Sequence, residues 1–507
     1  MIKRIIKFLT SRLFLIMFLM FIQLNFLMLA IYKIGELGLV YYVVFNSIGS
    51  LFSFSIMNRD FNPAYKISWI IAIIAVPFVG VVFYAIFGRL KMGKKTIKRI
   101  NQITENSRKF YNDNQGFNDF ENSSFKKIHN YLTNVTYMPA WNNTRTKFLS
   151  PGEDYFITLL EKLRNAKKSI FLEFFIIFPG KMWDQINEII VEKVKQGVEV
   201  RIIYDDFGCL KKMKKDFKKN LIKNGIKVAT FNPLIPILSI TINYRDHRKI
   251  VVIDGEVGFL GGANIGDEYI NIEKPFGYWK DSMIMVEGQG TINLLKLFLQ
   301  MWMFCTKEEL NYKDYQGNLS IPSNGQIQIY GDGPFDGYTI NESIYLNIIN
   351  GAKKYVYITT PYLILDNEIL SALKLSALSG IDVRIIVPHI PDKKLVFLVT
   401  QSYYAELITA GVRIYEYLPG FIHAKGIVAD DELGVVGSTN FDYRSLYLHF
   451  ESSCLLYETD SINEIKKDFL ETATISKEIY LDDCIKKNKN IFKRIFVSIL
   501  KAFSPMM

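Results

Sequence analysis

The chain carries one residue frame twice, and any fold must accommodate both copies. His247, Lys249 and Asp254 stand in RDHRKIVVID; His423, Lys425 and Asp430 stand in FIHAKGIVAD. The spacing is the same in both, and each Asp is followed, after six residues, by a small-residue turn, GGAN (Gly261 to Asn264) or GSTN (Gly437 to Asn440). Two further blocks precede each frame in the same order. NAKKSIFLEFF (165–175) parallels GAKKYVYITTPY (351–362), and QGVEVRIIYDD (196–206) parallels SGIDVRIIVPH (379–389). Each block is a β-branched and aromatic run of strand length, and helical sequence such as Trp183 to Lys195 or Ile369 to Leu378 lies between them. Strands alternating with helices predict an α/β sandwich in each half. Two such halves fused head to tail predict a pseudo-twofold, bilobal molecule with mixed sheets flanked by helices.

The repeated residues suit one chemistry. On a strand, His247 and Lys249 project from the same face, as do His423 and Lys425. Asp254 and Asp430 fall at the strand ends, which suits them to hold turn backbone rather than to carry protons. A phosphodiester between two such strands would meet two lysine charges, neutral donors from Asn264 and Asn440, and the hydroxyl of Ser438. Donors aimed at equatorial oxygens are the main device of phosphoryl transfer. One imidazole can attack phosphorus while the other protonates the departing alkoxide, because the ordinary histidine pKa of about 6.5 lies near working pH. Each ring needs an orienting carboxylate, and Asp281 (in WKDSM) and Glu451 (in HFESS) occupy corresponding places after the two frames. The chain has five histidines; His129, His389 and His449 lack such company and receive no role.

Composition narrows the setting. Hydrophobic residues make up 49% of 507, the net charge is +11 and mean hydropathy is slightly positive. That combination fits a basic protein at a membrane better than a soluble nucleic-acid binder. Uncharged stretches at Leu13 to Tyr32, Leu37 to Asn58 and Ile67 to Gly88 each have about the 20 residues that a spanning helix needs. They predict two or three uncleaved transmembrane helices. Basic residues lie both before them (Lys3, Arg4, Lys7, Arg12) and after them (Arg89, Lys91, Lys94, Lys95, Lys98, Arg99). Both flanks therefore belong in the cytoplasm, with an even number of crossings and a cytoplasmic catalytic part. The second stretch, with Asn46, Ser47, Gly49, Ser50, Ser53 and Ser55, is the most polar and is expected to fall short of a full crossing. At the other end, Ile491, Phe492, Ile495, Phe496, Ile499, Leu500 and Phe503 recur at helical spacing among Lys486, Lys487, Lys489, Lys493, Arg494 and Lys501. They predict a basic amphipathic helix in the headgroup plane; a helix packed on its own domain is the alternative.

Other chemistries lack their residues. Cys209, Cys305, Cys454 and Cys484 form no C-x-x-C pair, so neither a zinc site nor a disulfide framework is expected. GDGPFDG (Gly331 to Gly337) lacks the Lys-Ser/Thr of a nucleotide loop. We expect no metal and no cofactor.

At these residues the chain resembles the phospholipase D superfamily, whose signature is the doubled His-Lys-Asp motif. More narrowly it resembles bacterial cardiolipin synthases, through GGANIGDEY (261–269), YWKDS (278–282), TPY (360–362), GFIHAK (420–425), GSTNFDYRSLYLHFE (437–451), NPAYKISWIIAIIAVPFVG (62–80) and the ending FSP (503–505). The likeness runs from about residue 60 to the C-terminus. It implies transfer of a phosphatidyl group from one phosphatidylglycerol to another, giving cardiolipin and glycerol through a phosphatidyl-histidine intermediate. By analogy with the superfamily's usual order, His247 is the nucleophile and His423 the general acid and then base. Phosphatidylglycerol and anionic membrane lipids are the partners expected, and nucleic acid is not. A hydrolase or another phosphatidyltransferase is the alternative, and a membrane-tethered nuclease a remote one. Oligomeric state is not legible. The expected segments are a membrane region (1–90), a polar tether (91–140), two phospholipase D-like domains (141–315 and 316–482) and the C-terminal helix (483–507).

Overall fold

The computed structural model describes residues 39–60, 62–88, 94–108, 124–234, 243–335, 337–487 and 490–506, together with Asn25, Met28 and Leu29. The first half contributes β1 (Thr144–Leu149), β2 (Ser169–Phe174), β3 (Glu199–Asp205), β4 (Lys227–Phe231), β5 (Arg245–Asp246), β6 (Lys249–Ile253), β7 (Val257–Gly261), β8 (Tyr278–Lys280) and β9 (Met283–Gly288). The second contributes β10 (Gln326–Asp332), β11 (Tyr355–Thr359), β12 (Asp382–Pro388), β13 (Arg413–Tyr417), β14 (Gly420–Ile422), β15 (Gly426–Ala429), β16 (Leu433–Gly437), β17 (His449–Tyr457) and β18 (Ser476–Ile479).

The duplication seen in the sequence is a duplication of topology. The first sheet runs β1-β9-β7-β6-β2-β3-β4, and the second runs β10-β17-β16-β15-β11-β12-β13 before β18 closes its far edge. In each, a parallel part (β2-β3-β4; β11-β12-β13) meets an antiparallel part at β6 or β15. Ile170, Phe171 and Leu172 of β2 are all fully buried, as expected of a central strand covered on both faces.

Within each half, Asp254 or Asp430 ties the His-Lys-Asp frame to the first of the two preceding blocks. Asp254 accepts from the amides of Lys167, Lys168 and Ser169 at 2.8, 2.6 and 2.9 Å. Asp430 accepts from those of Lys353, Lys354 and Tyr355 at 2.6, 2.8 and 2.9 Å. Both residues have positive φ, 55° and 57°, a conformation that Asp tolerates better than most side chains. The paired lysines of NAKK and GAKK thus matter through their backbone.

The halves are not independent. Phe171, Ile203 and Phe298 of the first half share one buried cluster with Ile386, Val436 and Cys454 of the second. Two short strands also cross over: β5 pairs in parallel with β17, and β14 with β8.

The expected tether is packed where it is described. Arg99 donates to the Met303 carbonyl at 2.7 Å, Gln300 donates to Ser107 Oγ at 2.8 Å, and Ile128 and Leu132 of helix Lys126–Thr136 are buried. Its polar composition reflects helices that use one face only.

The third hydrophobic stretch departs from expectation. No helix among the described residues is long and apolar enough to cross a membrane. The stretch Ile67 to Gly88 breaks at Val76, giving helices Pro63–Ala75 and Pro77–Phe83. Pro77 removes a backbone donor there. The second piece then folds back so closely that a Cβ added at Gly80 would lie 2.6 Å from Ile73 Cα. Thirteen helical residues span about 20 Å, short of a bilayer core of about 30 Å. Most of Leu13 to Tyr32 and the basic flanks Lys3 to Arg12, Arg89 and Lys91 lie outside the described residues. The C-terminal helix Ile491–Phe503 packs on this unit, with Ser68 Oγ donating to the Ala502 carbonyl at 2.6 Å.

Candidate active site

Both motif histidines stand where the chain changes partners. His247 lies between β5, which pairs with the second half, and β6, which belongs to the first sheet; His423 lies likewise between β14 and β15. They sit in breaks between strands rather than inside a strand, which corrects the expectation that His and Lys share a regular strand face. Their backbones are fixed across the halves: His247 N–H donates to the Phe450 carbonyl at 2.9 Å, and His423 N–H to the Lys280 carbonyl at 2.7 Å.

The crossover also exchanges the carboxylates. His247 Nδ1 lies 2.9 Å from Glu451 Oε1, and His423 Nδ1 lies 2.7 Å from Asp281 Oδ2. Each ring is therefore oriented by an acid from the opposite half, and its Nε2 is left for chemistry. Both carboxylates are fully buried, with further donors in place. Asp281 accepts from Trp279 Nε1 at 3.3 Å and the Ser282 amide at 2.9 Å, and Glu451 accepts from the Ser438 hydroxyl.

Lys249 and Lys425 are almost completely buried, and their ammonium groups donate to the carbonyls of His247 and His423. Lys425 Nζ also stands 2.8 Å from His423 Nδ1. Burial sets the titration of all four groups, because it disfavours charge. It brings Lys249 down to about 8 and Lys425 to about 7. Burial, reinforced by Lys249, Lys425, His423 and Lys393, pushes His247 well below its usual range. Burial and Lys425 lower His423 to about 4 against the opposing pull of Asp281. Burial raises Asp281, but His423 and Lys425 outweigh it and hold this carboxyl below the usual range. Groups from both halves thus feel one another. The cations gathered there, with neutral imidazoles between them, suit an anion such as a phosphodiester.

Three expected phosphate donors are engaged within the fold. Ser438 serves Glu451 and accepts from the Ser452 amide at 3.0 Å, so it supports a carboxylate instead of facing a ligand. Asn264 accepts from the Ile176 amide at 3.0 Å and donates to Tyr269 at 2.9 Å. Asn440 donates to Asp442 at 3.2 Å. Each amide keeps a second N–H hydrogen. Asp254 and Asp430 lie at the opposite ends of β6 and β15 from the histidines, so they anchor the motif and stand apart from its chemistry.

His247, His449 and Glu451 also bring possible ligand atoms within 4.8 Å of one another. Lys249 and Lys425 place positive charge beside that set, and Glu451 already accepts from His247 and Ser438, which disfavours a cation. His449 and Trp279 are the site residues that sequence reasoning missed. Their rings lie 5.3 Å from that of His247 and 5.1 Å from that of His423. The available signal was positional: each stands two residues before its orienting carboxylate.

Comparison with known proteins agrees with this architecture. A family model described as "Cardiolipin synthase, PLD-like domain" matches residues 159–302 and 345–473, and one described as "Phospholipase_D-nuclease N-terminal" matches residues 50–89. A cardiolipin synthase of Alkalihalophilus pseudofirmus is 36% identical over 94% of this chain and 95% of its own. An uncharacterized protein of Streptococcus mutans serotype c is 40% identical over 89% of this chain and 98% of its own. The phosphatidylserine synthase structure from Haemophilus influenzae Rd KW20 superposes with a TM-score of 0.58 at 16% identity, covering 76% of this chain and all of that one, a likeness of fold. With the doubled topology, the two His-Lys-Asp motifs and relatives that match almost end to end, the chain belongs to the cardiolipin synthase family of phospholipase D-like proteins.

Proposed function

We propose that the chain makes cardiolipin from two molecules of phosphatidylglycerol, and that its two halves supply opposite roles. His247 Nε2 attacks phosphorus; the P–N bond forms as the bond to the glycerol oxygen breaks, and His423 Nε2–H gives that oxygen its proton. Neutral His423 then takes the proton from a hydroxyl of a second phosphatidylglycerol. The new alkoxide oxygen bonds to phosphorus, the P–N bond breaks, and both rings return to their starting states. One phosphodiester replaces another, so no nucleotide need drive the exchange, and the covalent step divides one hard displacement into two easier ones.

The observation that carries this reading is the exchanged pair of carboxylates, which commits both imidazoles to a single composite site. The division of roles draws support from electrostatics. Burial and the neighbouring lysines keep His247 neutral, as a nucleophile must be, and Asp281 beside His423 favours the cation that an acid passes through. The bound phosphodiester's own negative charge would raise His423 further.

Anchoring belongs to the same proposal. Residues 141–315 and 316–482 form the half-sites, and 1–90 and 483–507 hold them at the cytoplasmic face of the membrane. Leu51 and Ile74 in the N-terminal unit are each 69% exposed, and Phe492 in the C-terminal helix is 80% exposed. Apolar side chains exposed together on packed neighbours suit lipid contact. A cavity of about 530 Å³, lined by Tyr65, Tyr244, Phe335, Tyr447 and Leu448 among others, lies between this unit and the catalytic body. Tyr244 and Leu448 adjoin Arg245 and His449 in the chain, so the cavity offers acyl chains space beside the site.

Incubating purified protein with phosphatidylglycerol alone tests the reaction. Cardiolipin and free glycerol in equal amounts are expected; phosphatidic acid would mean a hydrolase, and cleavage of DNA offered alongside a nuclease. Trapped label on His423 instead of His247 would reverse the assignment of roles. Protease cutting of 150–480 from the outer side would reject the cytoplasmic placement.

A further inference from the structure

The pseudo-twofold is broken beside the nucleophile. Trp279 pairs with Phe421, and His449 pairs with Arg245, each partner standing two residues before a motif histidine. Position 449 is thus the counterpart of position 279. Trp279 has its one polar atom committed to Asp281. His449 does not: its Nδ1 stands 3.8 Å from Glu451 Oε1, beyond hydrogen-bond reach. Both of its ring nitrogens are buried with no hydrogen-bond partner within reach among the described residues. Such atoms in a folded protein call for an explanation.

We propose that His449 is a third histidine of the reaction, its neutral ring N–H donating to a non-bridging oxygen of the phosphodiester while His247 attacks. This rests on the reading of the site as a phosphatidyltransferase. The ring lies against that of His247, with centroids 5.3 Å apart. Burial brings it down to about 3, with Glu451 pulling the other way and His247 adding to the fall. The ring therefore stays neutral at working pH and keeps one N–H to donate. Lys249 and Lys425 supply charge; His449 would add a directional donor whose partner arrives with the substrate. Donors of this kind act where charge accumulates in the transition state.

The test compares His449→Phe, which keeps a ring, with His449→Gln, which keeps an N–H donor, in the full-length protein. His449→Phe should lower kcat for phosphatidylglycerol on the order of 10²-fold, leave KM within about threefold and not lower the thermal unfolding midpoint. His449→Gln should stay within about tenfold of wild type. Phosphorothioate phosphatidylglycerol adds a readout that packing alone would not move. The wild type should discriminate between the two sulfur diastereomers, and His449→Phe should lose that preference. A kcat unchanged in His449→Phe, a preference retained by it, or equal losses in both variants with a lowered unfolding midpoint would each overturn the proposal. A wild type that releases phosphatidic acid instead of cardiolipin would fail the transferase reading alone, because the same comparison on that hydrolysis still decides the role of His449.

Discussion

His247 hydrogen-bonds through Nδ1 to Glu451, 2.9 Å away and 204 positions later in the chain. The mirror contact, His423 to Asp281, runs the other way across the pseudo-twofold. Neither half therefore holds a complete histidine–carboxylate pair of its own. Strand crossover is the cause: β5 and β14 leave their own sheets, and each delivers its histidine to the other half's acid. Fusion of two similar domains has made one site from which neither can be removed.

The exchange makes the two carboxylates separable by experiment. Glu451→Gln and Asp281→Asn should each lower kcat by about 10²–10⁴-fold by loosening the tautomer and orientation of the ring each one holds. A phosphatidyl ester whose leaving group needs no proton, such as p-nitrophenol, should separate them. His423→Ala and Asp281→Asn should regain a burst of p-nitrophenol, whereas His247→Ala and Glu451→Gln should not. Rescue of the second pair instead would exchange the roles of nucleophile and acid.

Lysine titration fixes the sign of the pH dependence. Lys425 and Lys249 are brought down to about 7 and about 8 by burial, so the free enzyme loses both charges as pH rises through that window. The proton that His423 must donate also becomes scarcer. The two effects act in the same direction: kcat/KM should be highest below about pH 7 and fall above it. The profile of kcat should be flatter, because a bound phosphodiester holds the lysines charged. Lys425→Arg, charged throughout, should move the fall to higher pH; a profile unchanged by that substitution would separate Lys425 from the titration.

What could be read from the sequence followed from local pattern. Buried strands announce themselves by composition, so the matched blocks around Ile170, Ile202, Ile358 and Ile385 revealed the duplication, and the strand-end position of Asp254 revealed its anchoring role. Pairing between distant strands has no local signature, and nothing in RDHR or GFIHAK says that those residues pair with the other half. For that reason the sequence marks the carboxylates without their true partners, points Ser438 to a ligand instead of to Glu451, and gives His449 no role. Residues 91–140 read as a polar tether with some helix, and the packing of those helices is hidden because one apolar face in a polar segment is a weak signal. In the segment Ile67 to Gly88, hydropathy alone outweighed the break that Pro77 imposes.

The two anchoring aspartates should affect stability more than turnover, and unequally. Replacing either with Ala removes the acceptor of three amides, a cost of about 1–3 kcal/mol, and places Ala at positive φ. Asp430 serves the buried Tyr355 amide, whereas the lysine amides on Asp254 are exposed to water that can replace the carboxylate. Asp430→Ala should therefore lower the unfolding midpoint further than Asp254→Ala. Activity per folded molecule should fall less than tenfold in both, compared at a temperature where each variant is folded; a loss as large as that of His247→Ala would return the aspartates to the chemistry.

The C-terminal helix carries two kinds of basic residue, and binding to vesicles should tell them apart. Arg494 is exposed beside Phe492, Ile495 and Phe496, where it can meet anionic headgroups. Lys501 instead lies with its ammonium 4.1 Å from the ring of Tyr403, and burial lowers its pKa, so it serves packing against the second half. On vesicles rich in phosphatidylglycerol, Arg494→Gln should weaken binding roughly fivefold, the equivalent of about 1 kcal/mol, and the loss should vanish in high salt. Phe492→Ser should weaken it by one to two orders of magnitude at any salt, since burying such a ring contributes about 1.5–3 kcal/mol. Lys501→Gln should leave binding within about twofold of wild type while lowering the unfolding midpoint, because it removes a cation held over an aromatic face. If all three substitutions weakened binding alike and with the same salt dependence, the helix would be acting through net charge alone, and its apolar face would have no part in holding the protein to lipid.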